Sequence, residues 1–182
     1  MRITGGEARG RLISGPAGPQ LRPTGSKVRQ AFFNIVGFQL KHCHFLDICA
    51  GTGLMGMEAL SRGAGSVTFV EENRQSARAI ELNLRHLGYS AEVICADLRK
   101  VLPILEEKTF DIIFADPPYK SGLQEEIMGL TERHNLLADA EAVLVIEHLR
   151  SIKLPDNAGK LALASSRNYG QTSLSFFKVA AT

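Results

Sequence analysis

The stretch Phe45-Leu46-Asp47-Ile48-Cys49-Ala50-Gly51-Thr52-Gly53-Leu54-Met55-Gly56 runs an apolar strand into a glycine loop and then into a helix. Gly51, Gly53 and Gly56 satisfy G-x-G-x-x-G, so the stretch predicts the first strand, turn and helix of a nucleotide-binding α/β domain. Further strand-like runs follow at Ser66-Val67-Thr68-Phe69-Val70-Glu71, Glu92-Val93-Ile94-Cys95, Phe110 to Ala115 and Ala142 to Glu147. Helical patterns separate them, over Leu54 to Arg62, Arg74 to Leu87, Leu98 to Glu106 and Leu123 to Arg133. Such alternation predicts a parallel sheet with helices on both faces. Two closing runs, Lys160 to Ala164 and Ser173 to Val179, flank Asn168-Tyr169-Gly170 and predict an antiparallel hairpin at the sheet edge.

Upstream of the glycine loop the composition changes. Residues 1 to 41 carry seven Lys or Arg against the single acid Glu7, whereas the rest of the chain carries fourteen basic and eighteen acidic residues. A basic arm of two short strands and an amphipathic helix from Ser26 is therefore predicted on a mildly acidic body. The expected division is an N-terminal extension over 1–41 and one domain over 42–182. At 182 residues there is room for one well-buried core, and 45% apolar residues fit an ordinary soluble protein. No apolar run reaches bilayer length, so a cytoplasmic protein is expected, and a small chain with its own closed core needs no partner to fold, so a monomer is expected. Cys43, Cys49 and Cys95 lack metal-ligand spacing and are expected as buried, reduced thiols; no metal is expected.

Four acids stand at or just past successive strand ends: Asp47, Glu71, Asp97 and Asp116. In a parallel sheet these ends share one edge, so the acids are expected to face one crevice. Asp47 beside a pyrophosphate would add repulsion, whereas beside an ammonium or a sulfonium it attracts. S-adenosylmethionine suits the set, with its ammonium toward Asp47, its ribose hydroxyls toward Glu71 and its adenine amine toward Asp97. A nicotinamide oxidoreductase is the alternative that the glycines leave open. The fourth strand runs into Asp116-Pro117-Pro118-Tyr119, a stiff turn of acceptors without competing N–H donors, with an aromatic face beside it. That combination grips a planar amine by its ring and its N–H bonds. Glu58 and Arg62, at helical i,i+4 spacing, are read as a modest ion pair.

The glycine loop, Val70-Glu71-Glu72-Asn73, Ala96-Asp97 and Asp116-Pro117-Pro118-Tyr119 resemble the motifs of class I S-adenosylmethionine-dependent amino-methyltransferases. More narrowly, Arg9-Gly10-Arg11, Leu21-Arg22-Pro23-Thr24 with Val28-Arg29, and Ala50 through Ala64 resemble the bacterial small-subunit ribosomal RNA guanine-N2 methyltransferase family. The resemblance implies a Rossmann-like, seven-stranded, mostly parallel sheet with its last strand antiparallel. It implies S-adenosylmethionine held by Asp47, Ala50, Gly51, Thr52, Gly53, Glu71, Glu72, Asn73, Asp97, Leu98 and Asp116. Catalysis would fall to Asp116, Pro117, Pro118 and Tyr119, and the partner would be 16S ribosomal RNA, within a small subunit or an assembly intermediate. RNA phosphates are expected on Arg2, Arg9, Arg11, Arg22, Lys27 and Arg29. The nearest alternative activities are methylation of adenine N6 in DNA and of a protein glutamine.

Overall fold

The computed structural model describes residues 1–15, 25–105, 107–118 and 122–180. Five strands run parallel: β1 (His44–Ile48), β2 (Ser66–Val70), β3 (Glu92–Ile94), β4 (Ile112–Ala115) and β5 (Val143–Leu149). β6 (Asn157–Ala158), β7 (Leu161–Tyr169) and β8 (Thr172–Val179) complete the sheet in the order β3-β2-β1-β4-β5-β8-β7-β6. The mostly parallel sheet with an antiparallel last strand is therefore present, but with eight strands instead of the expected seven. The extra one is the two-residue β6, which pairs Ala158 with Leu161 across a turn whose Gly159 has φ 57°. The closing hairpin is not simply an edge ribbon. Its second strand, β8, inserts between β5 and β7, so the apolar run Leu174 to Phe177 is covered on both sides.

The helices are α1 (Ser26–Ile35), α2 (Leu54–Ser61), α3 (Arg74–Leu87), α4 (Leu98–Ile104) and α5 (Leu123–Arg133). Strand alternation sorts the core into two layers. Phe45, Phe69, Phe114 and Val145 face α1, α2 and α3, while Leu46, Ile48, Ile113, Leu144 and Ile146 face α4 and α5. α1 docks through aromatic edges, with Phe32 lying 5.0 Å from Phe114 and 6.2 Å from Phe45 between ring centroids. Asn73 opens α3 by accepting the N–H groups of Gln75 and Ser76, and Gly88 closes it in the left-handed conformation. Among the described residues no helix is long and apolar enough to cross a membrane.

The chain lays β2 and β3 on one side of β1, then crosses back to place β4 on the other. Strand order therefore reverses between β1 and β4, and such a switch point opens a crevice at the carboxyl ends of the strands. Close packing of α2 on the sheet sets the floor beneath it. A Cβ on Gly56 would stand 2.3 Å from Phe69 Cε1 and 2.8 Å from Val67 Cγ1. Gly56→Ala is expected to destabilise the protein by about 1–3 kcal/mol. Gly129→Ala, in α5 with no atom within 4 Å of its added methyl, is expected to stabilise by up to about 1 kcal/mol. Denaturant titrations of both variants check the opposite signs.

Candidate active site

Past Ile48 the backbone turns sharply, with positive φ at Cys49 (57°), Gly51 (55°) and Gly53 (72°). Two of these are glycines, for which the left-handed region carries no Cβ penalty. Cys49 holds that conformation at a cost of about 1–2 kcal/mol. The loop is tied down from three sides. Ala50 N–H donates to the Val70 carbonyl at 3.1 Å, Gly51 N–H to Glu71 Oε2 at 2.7 Å, and Gly56 N–H to Asp47 Oδ2 at 2.9 Å. Thr52 and Gly53 are buried at its apex, where α2 begins.

Asp47 differs from its expected place on the crevice wall. It is 2% exposed beneath the loop, where its carboxylate receives the first turn of α2. Burial, against the pull of the Gly56 N–H and aided by the charges of Asp116 and Glu71, holds its carboxyl well above the usual range. Burial likewise raises Glu71, although the N–H groups of Asn73 and Gly51 oppose the shift and Glu72 adds to it. The Cys49 thiol registers the convergence. Burial first, then the charges of Glu71, Asp116, Glu72 and Asp47, push it far up. Three of the four strand-end acids thus share one electrostatic neighbourhood.

Asp97 does not join them. It caps α4 by accepting Arg99 N–H at 2.8 Å, and it pairs with the Arg99 guanidinium, which also meets Glu126 at 2.7 Å. That backbone bond, with the Arg99 charge, lowers the Asp97 carboxyl. Asn73 is likewise engaged as a helix cap, Glu72 is exposed, and Leu98 sends its side chain into the core with Val101 and Leu102. Of the cysteines expected to be buried, Cys43 is, Cys49 is half-buried and Cys95 is exposed.

β4 delivers the second half of the site. Ala115 pairs with Ile48, and Asp116 N–H donates to the Ile48 carbonyl at 3.3 Å, so Asp116 starts beside the glycine loop. Asp116 is half-buried, Pro117 buried and Pro118 exposed; Tyr119 lies outside the described residues. One residue past the Ala115–Ile146 pair, β5 carries the buried Glu147, which sequence reasoning passed over. Its signal was the same strand-end acid that marked Asp116.

The basic arm is less free than its charge suggests. Arg2 bridges Leu12 in a short antiparallel turn, and Ile3, Ala8 and Ile13 join the core beside Phe45. Arg29, expected on an RNA-facing surface, is 4% exposed and donates to Glu58 at 2.8 Å and to the Arg2 carbonyl at 3.1 Å. Glu58 is fully buried and also receives Arg62 at 2.7 Å and the Thr4 backbone at 3.1 Å. It is an anchor for the arm and far more than a surface ion pair. Arg11 donates to the His86 and Leu87 carbonyls, closing the C-terminal end of α3, although its side chain remains exposed. Arg2 reaches the Gly10 carbonyl at 2.9 Å; Arg9 and Lys27 are exposed, and Arg22 lies outside the described residues.

A sheet reversing between β1 and β4, a glycine loop at one strand end and an acid-proline turn at the next make this the Rossmann-like fold of the class I S-adenosylmethionine-dependent methyltransferases. Comparison narrows the class. The family model of conserved hypothetical protein 95 matches residues 1–178, and the chain belongs to that family. Ribosomal RNA small subunit methyltransferase D of Escherichia coli K12 is 34% identical over 181 residues, covering 98% of this chain and 89% of that one. The protein of the same name from Haemophilus influenzae is 33% identical over 162 residues, covering 86% and 84%. Among solved structures, the hypothetical protein TTHA0928 of Thermus thermophilus superposes with a TM-score of 0.86 at 30% identity, covering 98% and 99% of the two chains.

Proposed function

We propose that the chain transfers a methyl group from S-adenosylmethionine to the exocyclic N2 amine of one guanine in small-subunit ribosomal RNA. The observation that carries this reading is the Ile48–Ala115 pairing, which sets the Asp116-Pro117 turn beside the glycine loop. The names of the similar proteins above support the RNA class.

The donor set fits a cationic cofactor. Asp47, Glu71 and Asp116 concentrate negative charge where no partner cation neutralises the first two among the described residues. Glu71 would meet ribose hydroxyls, Glu72 and Asn73 the rim, and Ala50 to Gly53 the amino acid moiety through backbone groups, with Asp47 bracing them from below. S-adenosylmethionine, when bound, supplies an electrophilic methyl carbon on a sulfonium. Asp97, although engaged with Arg99, keeps acceptor capacity on its half-exposed carboxylate, and with the Leu98 backbone completes the proposed adenine side.

The guanine amine is a weak nucleophile because its lone pair is delocalised into the ring. The Asp116 carboxylate and the Pro117 carbonyl accept its two N–H bonds, orient it and favour the positive charge that develops on nitrogen. Proline supplies its carbonyl without a competing N–H. Pro118 and Tyr119 form the proposed platform for the base, and Asp116 or a water takes the proton after attack. A base paired in a helix cannot enter, so the target lies in a loop or is flipped out. The arm over 1–41 is proposed to bring Arg2, Arg9, Arg22 and Lys27 to the RNA, with Arg11 and Arg29 fixing it to the body. A cytoplasmic monomer acting on a small subunit or its precursor accords with that role.

Mass spectrometry of nuclease-digested ribosomal RNA from cells lacking the protein is expected to show one missing N2-methylguanosine. Loss of N6-methyladenosine instead would assign adenine as the acceptor, and an unchanged nucleoside profile would reject RNA as the substrate. A second prediction concerns the acids. Because the Asp47 and Glu71 carboxyls stand above their ordinary range, a cation bound over the loop and rim that they support favours their charged forms and displaces protons. Affinity for S-adenosylmethionine is expected to climb as pH rises from the ordinary carboxylate range, near 4, through the raised values of these two groups. S-adenosylhomocysteine, which lacks the sulfonium charge, should show a shallower climb by calorimetry; equal slopes would remove the acids from this role.

A further inference from the structure

A groove of about 630 Å³ runs between the arm and α3. Leu12 and Gly15 form one wall, and Gln75, Arg78, Leu82 and His86 the other. Its two sides are fixed to each other. Asn83 Oδ1 accepts the Ser14 N–H at 3.1 Å and its amide donates to the Ser14 carbonyl at 2.7 Å, while Arg11 binds the carbonyls at the end of α3. The groove is therefore a built feature of the docked arm.

We infer that this groove holds the single-stranded ribonucleotides flanking the target base. The inference rests on the RNA reading above and adds residues outside the arm and the crevice. Charge favours a polyanion, since Arg78 and His86 line the groove and no acid among the described residues does. α3 carries three arginines (Arg74, Arg78, Arg85) and one acid, Glu81, which pairs with Arg85 at 3.7 Å and does not line the groove. The walls also carry two exposed leucines, Leu12 at 55% and Leu82 at 54%, on which the apolar faces of unstacked bases can pack. Position points the same way. A Cβ on Gly15 would lie 3.5 Å from Thr52 Cγ2 of the glycine loop, and Gln75 adjoins the Glu71 to Asn73 rim. From Gln75 to His86 the helix extends about 16 Å, room for a few nucleotides leading to the crevice.

The test uses the full chain and small-subunit ribosomal RNA purified free of protein from cells lacking this enzyme. Arg78→Glu is expected to weaken RNA binding about tenfold and to make the slope of log affinity against log salt shallower by about 0.7, the value for one phosphate contact on a single strand. Leu82→Gln should raise KM for RNA without altering that slope. Both should leave S-adenosylmethionine affinity and melting temperature at wild-type values, and Arg78→Ala, a mild change on an exposed helix face, should weaken binding in the same direction. Wild-type affinity and slope in the Arg78 variants overturn the proposal. So does a defect seen only with assembled subunits, which would make the groove a seat for a ribosomal protein. If Arg78 governs RNA binding but the wild type methylates neither the free RNA nor small subunits isolated from the same cells, the groove stands and the proposed activity falls.

Discussion

Asp116→Ala is expected to slow methyl transfer by about 10²-fold or more in a single turnover at saturating RNA and cofactor, by analogy with loss of one preorganised acceptor or donor aimed at developing charge. Asp116 stands at the end of β4 beside Ile48, and its charge already reaches Asp47 and Cys49. Removing it takes away both the orientation of the amine and the negative charge that meets the nitrogen as it becomes cationic. Asp116→Asn keeps a carbonyl acceptor without the charge, so its loss should fall between wild type and alanine. Because the interaction strengthens only as charge develops, the effect belongs to the rate more than to KM. A folded Asp116→Ala variant with near-normal single-turnover rate would take Asp116 out of the chemistry.

The second large effect is expected in stability. Glu58→Gln should cost about 3–5 kcal/mol, the range for breaking a buried ion pair by removing one partner. The carboxylate receives Arg29 at 2.8 Å, Arg62 at 2.7 Å and the Thr4 backbone at 3.1 Å, as well as the Thr4 hydroxyl. Glutamine would turn an NH₂ group toward those donors and leave the buried Arg29 charge uncompensated. The loss should appear as a lower denaturant midpoint and as faster proteolysis within residues 1–15. Glu58→Leu combined with Arg29→Met should recover much of the stability, since replacing both buried charges by apolar groups is often neutral. A Glu58→Gln variant unfolding at the wild-type midpoint would show that the arm is anchored elsewhere.

The same carboxylate sets an acid limit. Burial opposes its charge, but the hydrogen bonds from Thr4 and Arg62 and the charge of Arg29 outweigh burial and hold the carboxyl below its ordinary value. Its contribution to stability is therefore complete above the unfolded value near 4.3 and is lost as pH falls through the lower folded value.

The class of fold and the axis of the site are legible in the residues alone. G-x-G-x-x-G after an apolar strand, with acids at successive strand ends, admits few arrangements, because a parallel sheet brings those ends to one edge. The nearly continuous apolar run Phe110, Ile112, Ile113 and Phe114 also marks a strand covered on both faces, and Phe114 and Ile113 do pack into opposite layers. Local chemistry could not say which acids meet there. Asp97 was captured by its own helix and Arg99, and Asp47 was drawn beneath the loop by the Gly56 N–H, since a carboxylate takes the nearest donors that folding presents. Charge counting likewise placed Arg29 with the other arginines of the arm. Only the tertiary structure, by seating α1 against β1 and β4, brought Arg29 onto a carboxylate 29 residues away and made it an anchor, because contacts so distant in sequence exist only once the core has closed.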